Sequence, residues 1–412
     1  MWRPLLCLLA VGLADAVAAQ PVLQIHEVVS NNATSALDED GDASDWIEVA
    51  NLGTEAVDLA GIALSDDPDR PRRWVFPSGT LAPGGIVLVF ASGKDRASSV
   101  LHTSFRLRAE GETLTLTAAD GQRLDTVDLP TLPADVSFGR DPAGDWVYFS
   151  PPTPGVLNGT GATRIASRPT LVPAPGRHDG PVEVVPEAGH PEEMLRYTRD
   201  GSIPTDTSPE VTGPIILSQN GLVRVRAFRE GRLPGPVRTG TYLIGEPRDL
   251  PAVALAVDPV DLYSRASGVF NLFNLYQDLE AAAHLALIDA EADIPDLDAN
   301  VGLRLHGGFS RRYPQKSVAL FARERYGTEA ITGALFPDRP REAYQAVVLR
   351  NSGQDWYFSM MRDGLMQTLV SGLDVDVQSY RPMAAYLNGA YWGLLNLRER
   401  TNEHYLAMRH GV

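Results

Sequence analysis

A single cysteine, Cys7, occurs in the 412 residues, and it sits in the apolar stretch at the extreme N-terminus. The rest of the chain therefore has neither disulfides nor thiolate-bound metals to help it fold. Basic residues are also short: 36 Lys and Arg stand against 52 Asp and Glu, a net charge of −16. That balance excludes general affinity for nucleic acid or anionic membrane, both of which need a cationic surface. No apolar run reaches the length that a bilayer-spanning helix requires. The phosphate loops GxxxxGK and GxGxxG are absent, as are the GxSxG elbow and HExxH. His306 has no second histidine at ligand spacing, so it is expected to be a hydrogen-bonded structural residue.

What is present is ordinary globular composition, 44% hydrophobic and 21% charged, enough for about two to four domains. The first residues have the form of a secretory signal. Arg3 gives the positive start, Leu5 to Leu13 the apolar core and Ala14 to Ala19 the small-residue region, with cleavage before Gln20. The mature protein is thus expected to be secreted or held at the cell surface, without a transmembrane segment.

Residues 20–158 carry short strand patterns and turn signals with no helical stretch. Thr113 to Thr117 alternates, Ile86 to Phe90 is continuously apolar, and Asp66-Asp67-Pro68, Pro83-Gly84-Gly85 and Asp120-Gly121 punctuate. Strands spaced in this way predict a β-sandwich. The segments LDEDGDASDWIEVANLG (37–53), VDLAGIALSDDP (57–68), LAPGGIVLVFASG (81–93), LHTSFRLRAEGETLTL (101–116), SFGR (137–140) and PTPGVLN (152–158) resemble the lamin-tail domain of bacterial secreted proteins. That resemblance implies an immunoglobulin-like sandwich used for attachment. The cluster Asp38, Glu39, Asp40, Asp42 and Asp45 has its glycine at the fourth position and no distal glutamate at calcium-loop spacing, so a solvated loop is expected there and no metal. Trp46 and Ile47 are expected in the core.

Residues 159–168 (GTGATRIASR) read as a linker. Residues 169–243 predict a second small sandwich. YTRDGSIPT (197–205), GPIIL (213–217) and TGTY (239–242) resemble the chitobiase/hexosaminidase C-terminal sandwich, which carries no catalytic residues. Asp200 fits a turn aspartate. Carbohydrate binding through this unit ranks last, because its aromatics are few (Tyr197, Phe228, Tyr242).

From residue 251 the pattern becomes mixed α+β. Val301 to His306 alternates as a strand, Gly307-Gly308 turns, and Val318 to Phe321 is a second strand. Between them Arg311, Arg312 and Lys316 place three cations in six residues, a grouping suited to phosphate oxygens. The competing reading is a solvated basic loop. Gln277 to Asp289 is ambiguous: Ala281 to Ala283 favours helix, and strand is favoured for the second half, His284 to Ile288. Ala346 to Leu349 is a buried-type strand. Phe358, Met361, Leu365 and Leu369 fall at helical spacing with Asp355 as a candidate cap. Asn388-Gly389 is the strongest hairpin signal in the chain, and a helix is expected near Thr401.

Four segments together resemble the spore-coat CotH kinase family of atypical, protein-kinase-like phosphotransferases. They are LPAVALAVDPVDLY (250–263), GLRLHGGFSRRYPQKS (302–317), VVLRNSGQDWYFSMMRDGLMQTL (347–369) and AAYLNGAYWGLLNLRERTNEHYL (384–406). The fold class that follows is multidomain: two all-β immunoglobulin-like sandwiches, then a partial α+β kinase-like module over 251–412. The resemblance implies ATP and Mg2+ as cofactors and a surface or coat protein as substrate. Lys316 and Arg311 would contact nucleotide phosphates, and Glu399 would orient Lys316. Arg350, Asn351, Asp355 and Asp363 are polar positions of the family pattern for which caps and surface ion pairs are equally good readings. The family's catalytic and magnesium-binding aspartates lie downstream of the 384–406 segment. The chain is therefore expected to be a fragment or early-stopped product with no catalytic residue of its own. The alternative is a non-catalytic surface or adhesion protein that binds envelope polymer, glycan or protein through its sandwiches.

Overall fold

The structure, a computed structural model, describes residues 23–339 and 343–411. The expected export segment, 1–19, lies outside these described residues. The architecture is two β-sandwiches followed by a closed barrel carrying three short helices.

In the first sandwich a seven-stranded sheet packs on a four-stranded one. Leu23–Val29 pairs antiparallel with Trp46–Asn51, which pairs in turn with Ile86–Phe90. Thr113–Thr117 is central in the smaller sheet. Inward positions alternate as the sequence requires: Ile25, Val49, Leu64, Leu114 and Leu116 are fully buried, as are Trp46 and Ile47. Among the described residues this region has no helix.

The middle unit repeats the design on a smaller scale. Val182–Glu187, buried at every second residue, lies between two short strands and faces the four-stranded sheet that contains Gly221–Phe228 and Arg238–Ile244. Val184, Leu217, Val223, Val225 and Tyr242 fill the space between the sheets. The stretch read as a linker is pinned on both sides. Ala162 bridges to Tyr148, and Arg164–Ile165 pairs with Arg232–Leu233.

Seven strands form the barrel: β1 Ala252–Val257, β2 Ala281–Ile288, β3 Leu297–His306, β4 Ser317–Phe321, β5 Ala346–Arg350, β6 Tyr380–Leu387 and β7 Ala390–Glu399. Their order is β1-β2-β3-β4-β5-β7-β6, and β6 closes onto β1 in parallel. Closure leaves no free edge. It also gives each strand an inner face, so Val253, Leu285, Leu303, Leu320, Leu349 and Leu397 converge in one core. Ala281 to Ala283 belongs to β2 and only 277–280 and 289 of the ambiguous segment lie outside it: β-pairing to β1 and β3 overrides the helix preference of alanine.

The Asn388-Gly389 hairpin forms as expected, both residues having positive φ (48° and 81°). It also docks the barrel on the middle sandwich. The Asn388 amide donates to the carbonyls of Val257 and Asp200, and its oxygen accepts from Val257 N. A side chain at Gly389 would meet the backbone of Gly221 at 2.6 Å. Asp200 closes its own turn by accepting from Ser202 N at 2.9 Å. The helices are α1 Pro259–Tyr263, α2 Arg362–Leu369 and α3 Glu403–His410, the last capped by Asn402. Asp355 caps α2 from a distance: it sits in the preceding turn, and its carboxylate accepts from Arg362 N at 3.0 Å.

Candidate phosphate-binding corner

The corner is built where β3 gives way to β4. Gly307, at φ +96°, reverses the chain, and Phe309–Arg312 form one 3-10 turn. That turn is tied down by Arg311, whose Nε donates to Gly307 O and whose Nη1 donates to Leu275 O. Lys316 follows, 7% exposed, with its ammonium donating to Arg311 O at 2.6 Å. Arg311 and Lys316 are therefore together, as the sequence suggested, and Lys316 is not splayed into solvent. No carboxylate faces the Lys316 ammonium among the described residues, and burial pulls its pKa down from the ordinary lysine value.

Residues flanking Lys316 are fixed from both sides. Gln315 donates to Trp392 O and Leu394 O and accepts from Trp356 Nε1. Ser317 donates to Asn351, which is fully buried and itself donates to Gln315 O at 2.7 Å. Asn351, one of the polar family positions, is thus a bracket that holds β4 to the turn after β5. Beside the corner Trp356 and Trp392 help to line a depression of about 480 Å3.

The expected pairing of Glu399 with Lys316 is not made. Glu399 is level with Val347 on β5, and Val347 is level with Leu320 on β4. Lys316 lies four residues back from Leu320, roughly 13 Å at strand rise. The two residues thus belong to opposite ends of one barrel wall. Glu399 instead accepts from Ser379 N at 3.0 Å and faces Arg339 at 3.6 Å. Arg339 was not a candidate from the sequence, and its position in the long β4–β5 connection gives no local signal. Arg350 and Arg398 share the carboxylate of Asp363, so this pair of family positions is an ion-pair cluster.

His306 has no ring hydrogen bond among the described residues, contrary to expectation. Burial, with the positive charge of Arg350, Arg400 and Arg311, lowers its pKa to about 4, so it stays neutral. Asp355 is spent on Ser359 and Arg362 N.

The acidic loop of the first sandwich is exposed at Glu39, Asp40 and Asp42, as expected, but its carboxylates are not free. Lys94 reaches into it and bonds Asp38, Asp40 and Asp42 at 2.6, 2.7 and 2.9 Å. These three carboxylates are the one described group with metal-ligand spacing. An ammonium already sits where a cation would.

Comparison with known proteins is consistent with this organisation. Residues 16–131 match the family model described as Lamin Tail Domain, 187–242 the one described as Fn3 associated, and 303–411 the one described as CotH kinase protein. The middle sandwich is thus similar to the Fn3-associated family, where the sequence suggested the chitobiase/hexosaminidase C-terminal type. A beta sliding clamp of Synechocystis sp. is 30% identical over 122 residues, covering 27% of this chain and 31% of the clamp. The match thus spans under a third of that relative. A solved bacterial ice-binding adhesin, described for host cell surface retention, aligns at TM-score 0.19 and 11% identity over 69% of this chain and 92% of its own. At that score the alignment carries no argument. In chain order, then, the three regions are similar to a lamin tail domain, an Fn3-associated domain and a CotH kinase protein.

Proposed function

We propose that the protein is an exported, surface-directed CotH-type protein, organised as units 20–158, 169–243 and 251–412, whose barrel grips the phosphates of a nucleotide at Arg311 and Lys316. The observation that supports this is the buried Lys316 ammonium, which has a single carbonyl partner and no counter-charge. A buried cation in that state gains a charge-assisted bond when an anion arrives. ATP suits the corner through its phosphates. Magnesium does not fit as well: the two carboxylates after β5, Asp355 and Asp363, are both engaged, so no step is assigned to the metal. Isothermal titration with Mg-ATP tests the corner. Wild type should bind and Lys316→Ala should bind about tenfold more weakly; equal binding in both removes Lys316 from the site. Export is checked by the N-terminus of the secreted protein, which should begin at Gln20.

A second reading, a non-catalytic surface-binding protein, is favoured by the commitment of Glu399 to Arg339 and Ser379. Without a carboxylate beside it, Lys316 lacks the orienting partner that phosphoryl transfer uses. Incubation of the full chain with the cell-envelope fraction should retain it there. Recovery entirely in the unbound fraction, whatever the ATP result, rejects this reading.

A further inference from the structure

We propose that the loop-and-helix face of the barrel formed by Phe273, Tyr276, Phe309, Tyr313, Trp356 and Tyr357 binds an acidic polysaccharide. This rests on the surface-binding reading; the ridge shares the Phe309–Arg312 turn with the nucleotide corner but uses Phe309 and Arg312 where the corner uses Arg311 and Lys316. Phe273, Tyr276, Phe309 and Tyr357 are 72%, 61%, 69% and 70% exposed, in a protein with no shortage of interior to hide them. Tyr276, Phe309 and Tyr357 belong to one connected row of side chains, and Phe273 precedes Tyr276 by three residues in the same turn segment; exposed aromatics grouped in this way mark a contact surface.

The rings are joined side by side. Arg312 lies 5.8 Å from both Tyr276 and Phe309, Phe309 meets Tyr313 edge-on, and Tyr313 stacks on Trp356 at 5.4 Å. Tyr357 closes the row against Trp356 at 4.6 Å. The ridge is held rigid from below, since Trp356 donates to the buried Gln315, which is anchored on β7. A surface set in place before binding loses little entropy on binding.

Charge decides the occupant. Arg265 lies over Phe273 and Arg312 over Phe309, and neither meets a carboxylate among the described residues. Arg362 lies over Phe358 but is paired with Asp355 at 3.4 Å, so the uncompensated charge is that of Arg265 and Arg312. On a chain of net charge −16, an anionic polymer is repelled from most of the surface and admitted here. An apolar partner would cover these guanidiniums and leave them unpaired, which is unfavourable. A uronic-acid chain offers C–H faces for the rings and carboxylates for the arginines, with water retained between.

Affinity electrophoresis of the full chain tests this, with polygalacturonate, dextran or oligo-dT in the gel. Polygalacturonate should retard the wild type and dextran should not. The double variant Phe309→Ala/Tyr357→Ala should bind polygalacturonate about tenfold more weakly, as should Arg312→Glu, both with unchanged thermal unfolding. Saturating Mg-ATP should leave the polygalacturonate retardation of wild type unchanged, which separates the ridge from the corner. The proposal is overturned by no retardation in polygalacturonate, by equal retardation in dextran, or by stronger retention on oligo-dT. It is equally overturned if the wild type is a dimer by light scattering that the double variant abolishes. Envelope retention without a polygalacturonate shift overturns the ridge alone; loss of both overturns the surface reading as well.

Discussion

Lys94 and Lys316 are the same residue in opposite electrostatic circumstances. In the first sandwich, Lys94 is ringed by three carboxylates, and their hydrogen bonds and charge raise its pKa well above the ordinary value despite the opposing pull of burial. In the barrel, Lys316 is buried against one carbonyl, and burial depresses its pKa. An acidic cluster that already contains its cation has no vacancy for a metal. A cation without a counter-charge does have one for an anion. Ligand-binding capacity therefore depends on charge left uncompensated, not on charge count.

Four variants test this contrast. The largest effect is expected at Glu280, the barrel's counterpart of Lys94: a carboxylate gripped by Arg304, Arg323 and Arg325. Glu280→Gln should destabilise the barrel by about 3 kcal/mol in urea titrations near pH 7. The arginines hold its pKa down at about 2 against the ordinary 4.5. A depressed carboxylate contributes stability above its unfolded value and loses it as pH falls through the folded one. The gap between wild type and variant should therefore close between pH 4.5 and about 2; a gap unchanged over that range contradicts the assignment.

Next comes Lys94→Met, which leaves Asp38, Asp40 and Asp42 repelling one another. Its melting temperature should fall by about 5 °C, and calcium should restore part of the loss, whereas wild type should not respond. A calcium shift in wild type would show that Lys94 yields its place.

Lys316→Met should change stability by less than about 1 kcal/mol, because an uncompensated buried ammonium gains little for the fold. The cost of charging Lys316 is fully present below its depressed pKa and is relieved as pH rises toward the ordinary lysine value of about 10.4. Wild type should thus gain on the variant at alkaline pH, and a large loss at neutral pH would mean that Lys316 is structural. The smallest effect is expected for Glu399→Gln, which should leave Mg-ATP binding unchanged because Glu399 lies at the other end of the wall. A drop in affinity would place it in the site after all.

Local patterns in the sequence carried most of the fold. The alternation in Thr113 to Thr117 and Val182 to Glu187 gives half-buried strands, and Asn388-Gly389 supplies positive φ at both positions of a tight turn. The adjacency of Arg311 and Lys316 was legible because five residues around one 3-10 turn bring them together. The partner of Glu399 was not, because it depends on strand register and on Arg339 in a distant connection. Nor was the aromatic ridge. Phe358, Met361, Leu365 and Leu369 have the spacing of a buried helix face, yet all are exposed. Helix α2 docks instead through Gly364, against the ring of Tyr380, and through Asp363. Periodicity identifies one face of a helix but does not say which way it turns.

By itself, then, the sequence determined three regions, their strands and turns, and a cationic turn between two strands of the third. These follow from near-neighbour chemistry: side-chain alternation, turn residues and short-range charge. Only the tertiary structure decided which charges are cancelled. Lys94 meets Asp38 across 56 residues, whereas Lys316 meets no acid at all among the described residues. Coulomb pairing acts through space and is set by how strands are brought into register, which no short window of sequence contains.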